Sequence, residues 1–306
     1  MSQKKTCMPP DPDTRTPVFK APPQSCDAHC HIFGPRHLFP YHPSSTYEPP
    51  DAGKDRLQAL HRILGIELAV LVQASCHGPD NSAMLDAIAS SNGAYRGVCI
   101  ANKSFTDHDY QVLHDGGVRG VRFNFVRHLG GTPDLDGMRN ILDRVRLLGW
   151  HLVIHVNAED IIRFQEFFLQ IKMEIVVDHM ARVPCAAGTG QEAFRILKDF
   201  MHRDNWWCKI CGSERISQAG PPFHDAVPFA RELIAIAPDR ILWGTDFPHP
   251  NISRWMPNDG DLLDLVPQFA TDAALQKKVL VDNPARLYGF NQALNNSFLD
   301  FSEPAK

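Results

Sequence analysis

His29 and His31 stand on alternate positions of a short apolar run, Ser25-Cys26-Asp27-Ala28-His29-Cys30-His31-Ile32-Phe33. In a β-strand alternate residues share a face, so the two imidazoles project together. That geometry suits two chemistries: sharing one metal ion, or holding one substrate oxygen between two ring nitrogens. With 15 histidines in 306 residues, one such pair means little by itself. It gains meaning from polar residues that close or follow later apolar runs. Gln73, Ser75 and His77 follow the second run, and Arg119, Arg122, Asn124, Arg127 and His128 mark the fourth. His155 ends the fifth, Asp178, His179 and Arg182 the sixth, and Glu214 and Arg215 follow the seventh. Asp246 and His249 follow the eighth. Charged groups at so many strand ends call for partners, because an unpaired buried charge is costly.

Each residue also has a plainer reading. His155 alone reads as a hydrogen-bonded core histidine. Asp178 neighbours His179 and by strand alternation points away from the pocket. Arg119 is out of phase with the others and reads as a barrel-wall or solvent residue. Arg122 is odd in an apolar strand unless it meets an anion or carboxylate. Glu214 is either catalytic or paired with a nearby arginine. Trp206, Trp207 and Trp243 read as packing residues.

The elements that position these groups follow from periodicity. Strand-like runs cover 26–33, 68–73, 97–101, 117–124, 151–156, 174–179, 206–211 and 240–246. Between them apolar residues recur at helical spacing: Leu57, Leu60, Ile63 and Leu64; Met84, Leu85 and Ile88; Ile141, Val145 and Leu148. Stretches 161–171, 193–201 and 227–236 behave alike. Eight strands alternating with helices over about 250 residues predict a (β/α)8 TIM-type barrel. A doubly wound open sheet would carry a glycine-rich phosphate loop after its first strand, and none is present. The expected organisation is a flexible, proline-rich arm over 1–23, a catalytic barrel over 24–290 and a peripheral tail over 291–306.

Composition excludes several partners. A net charge of −4 gives no footprint for nucleic acid or an anionic membrane. No apolar run reaches the roughly 18 residues of a membrane span. The polar N-terminus lacks the apolar core of a secretory signal. The eight cysteines lie mostly in apolar runs, and Cys208-Lys209-Ile210-Cys211 has no second C-x-x-C to pair with. They read as reduced core thiols in a cytoplasmic protein.

Longer motifs sharpen the chemistry. His29-Cys30-His31, His155, His179 and Asp246 together resemble the amidohydrolase superfamily. The stretches 26–35, 72–78 (Val-Gln-Ala-Ser-Cys-His-Gly), 117–125 (Gly-Val-Arg-Gly-Val-Arg-Phe-Asn-Phe), 177–180 and 242–251 (Leu-Trp-Gly-Thr-Asp-Phe-Pro-His-Pro-Asn) resemble the 2-pyrone-4,6-dicarboxylate hydrolase subfamily of lactonases. The likeness covers about residues 24 to 290. It implies hydrolysis of a small anionic lactone in bacterial catabolism of lignin-type aromatic compounds. It further implies that Asp246 takes a proton from water while His29, His31 and His179 polarise the carbonyl. Arg122, Arg182 and Arg215 would hold carboxylates, with Tyr47, Ser75 and His77 completing the pocket and His249 beside Asp246. Elementary chemistry agrees: arginine matches a carboxylate at two points, and the oxygen of an attacked ester needs donors or a Lewis acid.

Two positions depart from that pattern. His155 stands where the subfamily presents a tyrosine, and Arg127-His128 replaces a Lys-Arg pair, so Arg127 would serve the carboxylate from the adjacent position. His29, His31, His155, His179 and Asp246 offer nitrogen and oxygen ligands for a single zinc or manganese ion. Arg122 occupies the place of the bridging lysine of binuclear relatives, which argues against a second ion. Metal-free hydrogen bonding and single-metal chemistry both stay open. A zinc-dependent sulfomuconolactone hydrolase is the alternative reading, favoured by His155 and His128. A non-enzymatic binder of acidic metabolites is a further one, opposed by the presence of Asp246, and a decarboxylase ranks below the lactonases. The sequence sets no oligomeric state.

Overall fold

The computed structural model describes residues 5–290. Eight parallel strands follow one another in chain order around a barrel. They are β1 (Cys26–Cys30), β2 (Leu68–Val72), β3 (Tyr95–Cys99), β4 (Val118–Asn124), β5 (His151–His155), β6 (Ile175–Val177), β7 (Trp206–Lys209) and β8 (Ile241–Leu242). The last strand meets the first through Ala28 N to Trp243 O (2.9 Å), Asp246 N to His29 O (2.7 Å) and His31 N to Phe247 O (2.7 Å). This is the expected (β/α)8 architecture.

The strands are buried on both faces, which is why β2 reads as an unbroken Leu-Ala-Val-Leu-Val. Helix Lys54–Leu64 turns Leu57, Leu60, His61 and Leu64 inward, and Glu192–Met201 turns Ala193, Phe194, Leu197, Phe200 and Met201. These stripes at three- and four-residue spacing pack on the barrel wall. Each fully buried leucine or phenylalanine there contributes about 1.5–3 kcal/mol.

The first and seventh strands end early, at Cys30 and Lys209, and three further strands differ from the sequence expectation. The third begins at Tyr95, not residue 97, because buried Tyr95 pairs with Ala69 of β2. The sixth stops at Val177, because His179, Met180, Ala181 and Arg182 all take positive φ, between 49° and 54°. A left-handed run of L-residues cannot continue a strand. The eighth is two residues long, and its continuation bonds to the first strand through the loop.

The proline-rich arm is tied to the barrel along its described length, 5–23. Lys5–Thr6 pairs in parallel with Tyr47–Glu48. Arg15 bonds Asp264 at 2.7 Å, and the amides of Val18 and Phe19 donate to the same carboxylate. The tail expected over 291–306 lies outside the described residues.

Candidate active site

The cleft's polar groups come from the C-terminal ends of the strands and from the loops that follow them, where barrel enzymes place their chemistry. On β1 the alternation holds. The rings of His29 and His31 lie 5.0 Å apart, edge to face. At the sixth strand it fails. The positive φ of His179 turns that side chain inward along with its neighbour, so Asp178 and His179 both enter the barrel. The expectation that Asp178 points away is therefore corrected, and the left-handed turn is the reason. Gly212 makes room for His179: a Cβ there would stand 2.8 Å from His179 Nδ1.

Asp246 is 1% exposed, and its two oxygens have separate tasks. Oδ2 receives Nε and Nη2 of Arg215, each at 2.5 Å. Oδ1 faces Nε2 of His31 at 3.2 Å, of His29 at 3.6 Å and of His179 at 4.0 Å. Burial alone would raise this carboxyl. Arg215 and the surrounding histidines overcome burial and hold it well below the usual carboxylate range, so it is ionised at neutral pH. Burial, then the Lys209 charge, lowers His29 to about 4. Burial also keeps His179 and His155 well below their ordinary value. Each of these three rings is thus neutral, with one N–H and one lone pair.

Beneath His29 lies a fully buried ionic layer. Asp178 accepts from Arg122 Nε at 2.8 Å and lies 3.2 Å from Lys209 Nζ. Lys209 Nζ also lies 3.0 Å from His29 Nδ1. Sequence reasoning missed Lys209, whose run drew notice only for its C-x-x-C spacing. The signal was the one that singled out Arg122, a charge inside an apolar strand. Cys211 of that run sits 3.2 Å from His179 Nδ1.

The cleft above is narrow, with a volume of about 20 Å3. His31, Tyr47, Ser75, Arg122, His128 and His155 line one part of it, and His179, Arg182, Arg215 and Asp246 another. His155 Nδ1 meets Asn124 Oδ1 at 2.9 Å, which leaves its buried Nε2 without a partner. Asn124 in turn reaches Ser75 Oγ at 3.4 Å. Arg122 spends Nε on Asp178. Among the described residues Arg182 has neither a hydrogen-bond partner nor a carboxylate within 4.0 Å. Burial and the adjacent Arg215 lower it to about 10, so it stays charged at neutral pH.

Four expected site residues lie off this cleft. His29 sits directly below it, in reach of Asp246. His77 is 1% exposed and accepts from Gly34 N at 3.3 Å. Arg127 points to solvent while the next residue, His128, lines the cleft, so the adjacent-position substitution expected of Arg127 is not seen. His249 is fully buried, with Nε2 3.0 Å from Asp259 and Nδ1 3.8 Å from Glu214. It braces the loop after β8 and, as expected, stands beside Asp246, with a ring nitrogen within 4.8 Å of that carboxylate, but it does not line the cleft. Glu214 pairs with Arg215 at 3.5 Å, the plainer of its two readings.

For a metal, His29, His179 and Asp246 bring one donor atom each within 4.8 Å of one another. His29 Nε2 is buried without a partner. Nitrogen and carboxylate donors in this number fit a single divalent ion. His31 and His155 fall outside the cluster, which narrows the five-residue set expected from sequence.

Comparison with known proteins places this geometry. The sequence profile of the amidohydrolase family matches residues 26–290. The chain is 47% identical over 281 residues to 2-pyrone-4,6-dicarboxylate hydrolase of Comamonas testosteroni, covering 89% of this chain and 92% of that one. It is 41% identical over 274 residues to 4-sulfomuconolactone hydrolase of Rhizobium radiobacter, with the same coverages of 89% and 92%. A solved structure from Pseudomonas putida, provisionally assigned as a 2-pyrone-4,6-dicarboxylic acid hydrolase, superposes with a TM-score of 0.74 at 28% identity. It covers 87% of this chain and 98% of that one. The profile match runs from the first residue of β1 to the last described residue, and the chain belongs to the amidohydrolase family.

Proposed function

We propose that this chain is a lactonase that opens a carboxylated lactone ring, with 2-pyrone-4,6-dicarboxylate as its substrate. One observation carries the reading: Asp246 Oδ1 faces three histidine nitrogens in a cleft whose wall holds an unpaired arginine, Arg182. The 47% identity to a hydrolase of that pyrone supports the choice of ring.

Arg182 and the free Nη groups of Arg122 take the two ring carboxylates. Asp246 Oδ1 accepts a proton from water, and the water oxygen bonds to the lactone carbonyl carbon. Negative charge then grows on the carbonyl oxygen, beside the N–H groups of His29 and His179. When the intermediate collapses, the ring C–O bond breaks. The leaving enol oxygen takes up the proton, and the new carboxyl group ionises. A zinc or manganese ion held by His29, His179 and Asp246 would supply Lewis-acid polarisation of that carbonyl.

The test is direct. Micromolar purified protein should bleach the ultraviolet absorbance of the pyrone, and an unchanged spectrum rejects the assignment. A second reading, hydrolysis of a sulfonated muconolactone, is favoured by His155, whose unpartnered Nε2 borders the cleft, and by the 41% identical relative. Faster turnover of the sulfonated lactone than of the pyrone would decide for it. A pure binding protein would turn over neither.

A further inference from the structure

A second space adjoins the reaction cleft at Arg182. Arg182, Arg215 and Asn251 also wall a second, polar chamber of about 250 Å3. Its outer side is formed by Gln218, Arg254 and Trp255. Two of its cations are uncommitted. Arg182 has no carboxylate within 4.0 Å among the described residues. The Arg254 guanidinium lies over the Trp255 ring at 5.7 Å, and its hydrogen bond is a long one, 3.5 Å to Gln218 Oε1. The chamber's one carboxylate, Glu214, is turned to Arg215 and His249. The chamber therefore offers an anion two guanidinium groups that have no carboxylate within 4.0 Å among the described residues, one of them shared with the cleft.

Ring opening changes what the protein must hold. A flat ring with two carboxylates becomes a chain with three, longer than the ring and free to rotate about its single bonds. The cleft is the tighter space, about 20 Å3 against about 250 Å3 in the adjoining chamber. Resting on the lactonase reading above, we propose that the Arg182–Arg254 chamber is the subsite for the open-chain tricarboxylate, with Arg254 binding the carboxylate that leaves the cleft. Arg182, common to both spaces, hands that group across. Arg254 thus determines affinity for the product, which is also the substrate of the reverse, ring-closing direction.

Selectivity between two unreactive probes tests this. Tricarballylate carries three carboxylates and glutarate two. Their affinities for the full-length protein are measured by titration calorimetry, which needs no turnover. Arg254→Ala should weaken tricarballylate about tenfold more than glutarate, the size of one lost charge-assisted hydrogen bond. Arg254→Lys should restore part of the difference. Equal weakening of both probes, or no weakening of either, overturns the proposal. Failure of the lactonase reading has a separate signature, since wild-type protein would then bind the probes and leave the pyrone spectrum unchanged.

Discussion

Arg215 holds Oδ2 of Asp246 through a hydrogen bond from Nε and an ion-pair contact from Nη2, each at 2.5 Å, and leaves Oδ1 to the histidines. The arginine fixes the carboxylate plane, and with it the direction in which a proton can be accepted. Asp246→Asn removes the acceptor and should lower kcat about a hundred- to ten-thousand-fold. Arg215→Lys keeps the charge but makes a single contact, and loss of alignment should cost kcat about a hundredfold. Stopped-assay kcat on the pyrone, with circular dichroism to confirm folding, checks both. Full activity in Asp246→Asn would remove Asp246 from the mechanism.

Among the described residues, Arg182 lines the cleft with no carboxylate within 4.0 Å. Arg182→Ala should raise KM for the dicarboxylate lactone about ten- to a hundredfold, the worth of a hydrogen bond to a charged group. The effect on kcat should be smaller. A variant with unchanged KM would place the substrate carboxylates elsewhere.

Asp178 ties Arg122, Lys209 and His29 into one buried layer. Burial favours its neutral form, but Lys209, His29 and Arg122 hold its carboxyl well below the usual carboxylate range. A depressed native value stabilises the fold above the unfolded value, and that stability drains as pH falls through the native one. Asp178→Asn should therefore cost about 3–5 kcal/mol in urea unfolding at neutral pH. Adding Lys209→Met removes the stranded charge and should recover part of the loss. A double variant no more stable than the single one would refute the pairing.

His249 shifts the opposite way. Burial lowers it, but Asp259 and Glu214 outweigh burial and raise it from 6.5 to about 10. Its contribution to stability is complete below about 6.5 and is lost as pH rises through about 10. Tm should decline across that window, and His249→Gln should flatten the decline. Parallel wild-type and variant curves would exclude His249 as the source.

Metal analysis of untreated protein should find at most one divalent ion per chain. The cluster at His29, His179 and Asp246 is flanked by Lys209, Arg122 and Arg215, whose charges oppose a second cation. Two equivalents of bound metal would contradict this.

The barrel was legible in the chain because parallel strands buried on both faces must be apolar runs, and their helices must carry apolar stripes. The H-x-H pair was legible because strand alternation is a local rule, obeyed at His29 and His31. Asp178 was misread because that rule breaks where the backbone turns left-handed at His179, a conformation the residue types do not announce. Lys209 was overlooked and His77 was drawn toward the cleft, because partners about 30 to 180 positions away in the chain decide where such groups go. Residue type and spacing determined the fold and which chemistry was available. Only the tertiary structure decided that Asp246 divides its oxygens between Arg215 and the histidines, because that division depends on chain segments that meet only after the barrel closes.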